Sequence, residues 1–152
     1  MGAVSLVADL AVFAPVDDEL CVLLVKRKYR PYKGWWALPG GEAEANERSR
    51  DAAVRELKEE TGVHLTEVRR VDAFDEPERD PRGRFVSIAY TARLNDAPKP
   101  TAGDDAAEAR WRPVSSLLHD DVAFDHRQII GAALQVWGLD WEHVGTSTSA
   151  RK

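Results

Sequence analysis

Apolar residues run almost unbroken over residues 4–13 and again over residues 21–26, with the polar, proline-containing cluster Ala14-Pro15-Val16-Asp17-Asp18-Glu19 between them. Val- and Leu-rich runs of that length bounded by turn residues predict two strands, paired with each other. Pro39-Gly40-Gly41 cannot continue a regular element and predicts a sharp turn. Asn46 then stands as a helix cap before residues 47–61, which contain neither Gly nor Pro, and Gly62 closes that helix. Strand composition returns at 63–74 and 84–94 around the polar loop 75–83, and a shorter strand candidate covers 109–114. In residues 124–137, Ile129, Ile130, Ala133, Leu134 and Trp137 recur three or four apart, which predicts a second helix capped by Asp125 or Asp121. Strands interleaved with helices predict an α/β fold, a mixed sheet with helices on its faces.

The length of 152 residues fits one domain, taken as residues 1–144, and the Ser/Thr-rich end at 145–152 reads as a disordered tail. With 21 Lys+Arg against 26 Asp+Glu the chain carries a net charge of −5. That balance argues against a protein that coats nucleic acid or an anionic membrane, so a polyanionic ligand has to be held locally. The basic stretch Lys26, Arg27, Lys28, Arg30, Lys33 is the place to hold one. A single cysteine, Cys21, excludes an intramolecular disulfide and fits a reducing compartment. No apolar run suits a membrane helix or signal peptide, and the expected location is cytoplasmic.

Wound as a helix, residues 47–61 bring Glu56, Glu59 and Glu60 into an arc of about 100° beside the apolar stripe of Ala53, Leu57 and Val54. Three carboxylates at the edge of a core repel one another, and a hard divalent cation relieves the repulsion through oxygen. Arg55, four residues before Glu59, is placed to pair with it and hold its rotamer.

The frame Gly41-x5-Glu47-x7-Arg55-Glu56-Leu57-x-Glu59-Glu60-x-Gly62-Val63 resembles, without a mismatch, the GX5EX7REUXEEXGU signature of the Nudix hydrolases. The resemblance implies an α/β/α sandwich with a mixed sheet and Mg²⁺- or Mn²⁺-dependent hydrolysis of a nucleoside diphosphate linked to another group. Carried over by position, Glu56, Glu59 and Glu60 become metal carboxylates, the Gly40 carbonyl a further ligand, and Glu47 a supporting acid. Family members draw the general base from the helix acids or from a loop carboxylate, for which Asp105, six residues before Trp111, is the candidate here.

Further motifs, Leu23–Arg27, Gly34-x-Trp36-Ala37-Leu38-Pro39-Gly40-Gly41, Arg79-Asp80-Pro81-Arg82-Gly83-Arg84 and Ala123-Phe124-Asp125-His126, look like the ADP-ribose pyrophosphatase group. That resemblance implies ADP-ribose as substrate, AMP and ribose 5-phosphate as products, and a homodimer. Among the basic residues, Arg27 is the candidate phosphate contact, and Arg82 and Arg84 are candidates for a second phosphate or terminal ribose. Trp35, Phe74 and Tyr32 are candidates to stack on a base, whereas His126 reads as a helix-capping or surface residue. Two alternatives stay open, a nucleoside triphosphate pyrophosphohydrolase using the same metal helix and a non-catalytic nucleotide sensor.

Overall fold

The computed structural model describes residues 2–103 and 105–142; the tail expected at 145–152 lies outside them. The two apolar runs become β1 (Val4–Val16) and β2 (Glu19–Arg27), longer than the hydrophobic pattern alone suggests. They pair antiparallel as far as Val16↔Glu19, because only Asp17 and Asp18 form the turn, both at positive φ. Aspartate tolerates that left-handed backbone, so a two-residue hairpin closes where a longer loop was expected.

After β2 come β3 (Trp36–Ala37), β4 (Gly40–Glu42), α1 (Ser49–Thr61), β5 (Arg69–Phe74), β6 (Arg84–Arg93), β7 (Ala106–Pro113) and α2 (His126–Val136). One seven-stranded sheet has the order β3-β2-β1-β6-β5, with β4 added to β1 and β7 to β2. The β1–β6 pairing is parallel and the other strand pairings are antiparallel, so the sheet is mixed.

Strand alternation divides the core into two layers. Ala8, Leu10 and Val12 of β1 pack with Leu23 and Tyr90 against Ala52, Ala53 and Leu57 of α1. Ala11 and Phe13 face the other way, with Val22, Leu24 and Ala89, onto Ile129, Ile130, Ala133 and Leu134 of α2. The α/β/α sandwich thus follows from one strand whose two faces are both apolar. Cys21 is buried, its thiol pushed up to about 11 by burial. Among the described residues no helix is long and apolar enough to cross a membrane.

Two local expectations need correction. The glycine pair does not simply turn the chain: Gly40–Glu42 is a strand whose register puts Gly40 opposite Asp9 and Gly41 opposite Ala8. The first helix starts at Ser49, two residues later than its composition suggests, and the residue before it, Arg48, makes no side-chain cap. Gly62 does close it, at φ 75° with its N–H on the Lys58 carbonyl.

Candidate active site

Arg55 organises the acids of α1. Its Nε donates to Glu47 Oε2 at 2.8 Å and its Nη2 to Glu47 Oε1 at 3.0 Å, while Nη1 reaches both oxygens of Glu59 at 2.9 and 3.1 Å and Glu56 Oε1 at 3.3 Å. Nη2 also donates to the Glu42 carbonyl. Because the helix begins at Ser49, Glu47 lies ahead of it and folds back over Arg55, which is how a residue on the wrong side of an idealised helix joins the cluster. These bonds hold the Glu47 carboxyl down at about 2, principally through the Arg55 guanidinium.

The remaining two acids face inward. Glu56 rests on Gly41 so closely that a Cβ there would stand 1.8 Å from Oε2. Burial first, then the charges of Glu59 and Asp105, push its carboxyl up to about 7 against the opposing pull of Arg55. Glu60 Oε1 accepts the Gly40 N–H at 2.8 Å. Burial raises its carboxyl to about 8, opposed by that hydrogen bond and reinforced by Glu56, Asp9 and Asp105. Among the described residues no three His, Cys, Asp or Glu side chains already converge tightly enough to hold a metal, and Glu59 is paired with Arg55. The donor set nevertheless suits a hard divalent cation: oxygen ligands and mutually repelling carboxylates at the edge of the core.

A cavity of about 170 Å³ opens beside this helix, with Gly40, Gly41, Glu60 and Asp105 on one side and Arg27, Arg79, Arg82, Phe124 and His126 among its other walls. Arg27, at the end of β2, is half-buried, its Nε on the Pro31 carbonyl at 2.7 Å and its guanidinium 4.9 Å from the Phe124 ring centre. Arg82 approaches the same ring at 5.5 Å and is paired with Asp80 at 2.7 Å. Burial, then the charge of Arg82, lower the Arg27 pKa, as expected for two guanidinium groups sharing one apolar ring. Phe124 itself has φ 54°, a left-handed backbone that bulky residues rarely adopt and that is found where a side chain is held for function.

Of the expected site residues, the fold brings Arg27, Gly40, Glu60, Arg82 and Asp105 to the cavity wall, with Glu47, Arg55, Glu56 and Glu59 clustered on Arg55 beside it. It does not bring Arg84, Phe74 or Trp35. Arg84 donates to the Asp75 carbonyl across its own loop, and Phe74 packs against the α2 core. Trp35 stands edge-on to Tyr32 in a separate open groove whose walls also include Arg82. Asp9, Arg79 and His126 also line the cavity, His126 buried there and not at the surface as expected, and Asp125 closes a bidentate pair with Arg79. The Ala123–His126 motif was the available signal, but its partners lie far off in sequence.

The sequence pattern of the NUDIX domain matches residues 7–132. An ADP-ribose pyrophosphatase of Methanocaldococcus jannaschii is 40% identical over 121 residues, 80% of this chain and 70% of that protein. The ADPR responsive transcriptional repressor NtrR of Acinetobacter baylyi is 32% identical over 127 residues, 82% of this chain and 51% of the repressor. This chain therefore spans about half of that relative. Among solved structures, the NUDIX domain of Shewanella oneidensis NrtR complexed with ADP ribose superposes with a TM-score of 0.84 at 30% identity, covering 90% of either chain.

Proposed function

This chain belongs to the Nudix hydrolase family, and from that premise we propose that it hydrolyses the diphosphate linkage of ADP-ribose, giving AMP and ribose 5-phosphate, with Mg²⁺ or Mn²⁺ as cofactor. The observation that carries the reading is the complete set of family acids, Glu47 ahead of α1 and Glu56, Glu59 and Glu60 on it, beside a cavity with two arginines on one phenylalanine in its wall. A diphosphate needs cations on one flank and a water-activating group on the other, and the cavity offers both. The similarity to an ADP-ribose pyrophosphatase and to an ADP-ribose complex supports the substrate class.

Glu56, Glu59, Glu60 and the Gly40 carbonyl would hold the cation, which when bound supplies charge neutralisation and lowers the pKa of water. Arg55, anchored on Glu47 and donating to Glu59, would hold the Glu59 carboxylate in place beside the cation. Arg27 and Arg82 hold the diphosphate oxygens over Phe124. Asp105 lines the cavity beside Glu60, close enough for its charge to act on Glu56 and Glu60, and is the loop carboxylate available to accept a proton from attacking water.

The similarity to a repressor favours a second reading, a ligand-binding domain without turnover. One experiment separates them: ADP-ribose, nucleotide sugars, dinucleoside polyphosphates and nucleoside triphosphates are incubated with Mg²⁺ and the products resolved. AMP with ribose 5-phosphate, formed only with metal, supports the proposal. Pyrophosphate from triphosphates moves the activity to the other substrate class, and tight ADP-ribose binding without products identifies a sensor.

A further inference from the structure

Three polar side chains, Asp9, Ser87 and His126, are buried on the α2 side of the sheet near the glycine strand β4. Ser87 Oγ donates to Asp9 Oδ2 at 2.5 Å, and Asp9 Oδ1 lies 3.7 Å from His126 Nε2. At its other ring nitrogen, Nδ1, His126 accepts the backbone N–H of Leu38 at 2.9 Å. A backbone N–H only donates, so Nδ1 carries no proton and the imidazole proton sits on Nε2, toward Asp9.

Leu38 is two residues before Gly40, and the segment between is fixed from every side. Leu10 N–H donates to the Pro39 carbonyl at 3.0 Å, Gly40 pairs with Asp9, and the Gly40 N–H is held by Glu60. Burying three polar groups is tolerated only when each is satisfied. The bond from Leu38 is what this trio delivers to the rest of the molecule.

Resting on the reading of Gly40 and α1 as the metal site, we propose that His126 is a positioning residue: through the Leu38 N–H it fixes residues 38–40 and so aims the Gly40 carbonyl at the bound cation. It exchanges no proton with substrate.

The test uses His126→Asn, His126→Gln and His126→Leu. Asn places its Oδ1 where Nδ1 stands and keeps the acceptor; Gln carries its amide one bond too far, and Leu has none. Mn²⁺ binding is followed by the loss of the free-ion electron paramagnetic resonance signal, without substrate, alongside kcat and KM for ADP-ribose. Cooperative thermal unfolding confirms that each variant is folded. The expected result is Mn²⁺ binding weakened about 10–100-fold in the Leu and Gln variants, with Asn restored to within about threefold of wild type and kcat following the metal affinity. Should the Leu variant not fold, the Gln–Asn contrast decides. Equal Mn²⁺ affinity in all folded variants, or an Asn variant as impaired as Gln, overturns the inference, the latter pointing to direct imidazole chemistry. Wild-type protein that binds no Mn²⁺ overturns the metal reading beneath it, and the inference with it.

Discussion

Arg79 and Asp125 form a bidentate pair, Nε to Oδ2 at 2.9 Å and Nη2 to Oδ1 at 2.6 Å, joining the β5–β6 loop to the residue that precedes α2. The Arg79 side chain is 4% exposed and that of Asp125 13%, so water screens neither charge well. Flanked by Phe124 and His126, the pair ties both to the wall that carries Arg82. Removing one partner leaves the other charge buried and unpaired, and Arg79→Ala is expected to cost about 3–5 kcal/mol of stability. Urea denaturation measures it; a loss under about 1 kcal/mol would mean that water reaches the pair.

Arg55 makes a contrasting prediction, because its partners are the acids of the proposed cation site. Arg55→Ala frees Glu47, Glu56 and Glu59 from a shared counter-charge. Loss of such an orienting partner lowers activity about 10–100-fold, while the partly exposed setting keeps the change in stability small. Steady-state kinetics set beside a melting curve separates the two effects, and unchanged kcat/KM would remove Arg55 from the machinery.

Adjacent glycines respond differently to one added methyl group. At Gly40 a Cβ meets the Ala8 carbonyl oxygen and Asp9 Oδ1, both at 2.3 Å, and backbone cannot step aside. At Gly41 it meets the movable carboxylate of Glu56 at 1.8 Å. Gly40→Ala is therefore expected to destabilise the fold by at least about 1–3 kcal/mol, whereas Gly41→Ala keeps the melting temperature and loses activity by displacing Glu56. Equal losses of stability in the two variants would contradict this division.

These cases also mark how far the amino-acid pattern reaches. The layers were legible because β1 is apolar on both faces and α2 repeats its apolar positions at helical spacing, and the α1 acids were legible because their spacing lies within one element. Glu47 was placed by motif and not by helix geometry, since the late start of α1 is a backbone event. Strand β4 was hidden because its partner Asp9 lies about thirty residues earlier and two glycines carry no strand propensity. His126 was hidden for the same reason, its acceptor role being defined by a backbone N–H 88 residues away. Loop spacing around Arg84 and Trp35 indicates reach and not direction: Arg84 turns onto the Asp75 carbonyl, and Trp35 lines the open groove it shares with Arg82.

His126 gives the protein a stability that depends on pH. Burial lowers its pKa; Asp9 and Asp125 pull it up, and Arg79 and Arg27 push it down further. The unfolded chain takes up a proton near the ordinary value of about 6.5 while folded His126 stays neutral, so stability falls as pH drops below that value. The loss continues to the lower folded pKa, at up to about 1.4 kcal/mol per pH unit. His126→Asn removes this contribution. Unfolding free energies of the two proteins at pH 7.5, 6.5, 5.5 and 5.0 are expected to converge toward acid, and parallel curves would show that the imidazole titrates as freely in the fold as outside it.

Glu60 is where stability and chemistry oppose each other. Its carboxylate is buried among Glu56, Asp9 and Asp105, and the polar contact that fixes it is the Gly40 N–H on Oε1. Glutamine keeps that acceptor, fills the same volume and cannot ionise among the other three acids. Glu60→Gln is thus expected to melt at or above the wild-type temperature. The charge it deletes is one that the proposed cation requires, so Mn²⁺ binding and turnover of ADP-ribose are expected to fall by two orders of magnitude or more, about 3 kcal/mol. Thermal denaturation with and without Mn²⁺ reads both consequences in one experiment: metal raises the wild-type transition and leaves the variant's unmoved. A variant that melts early, or is stabilised by metal as much as wild type, would place the working charge elsewhere on the helix.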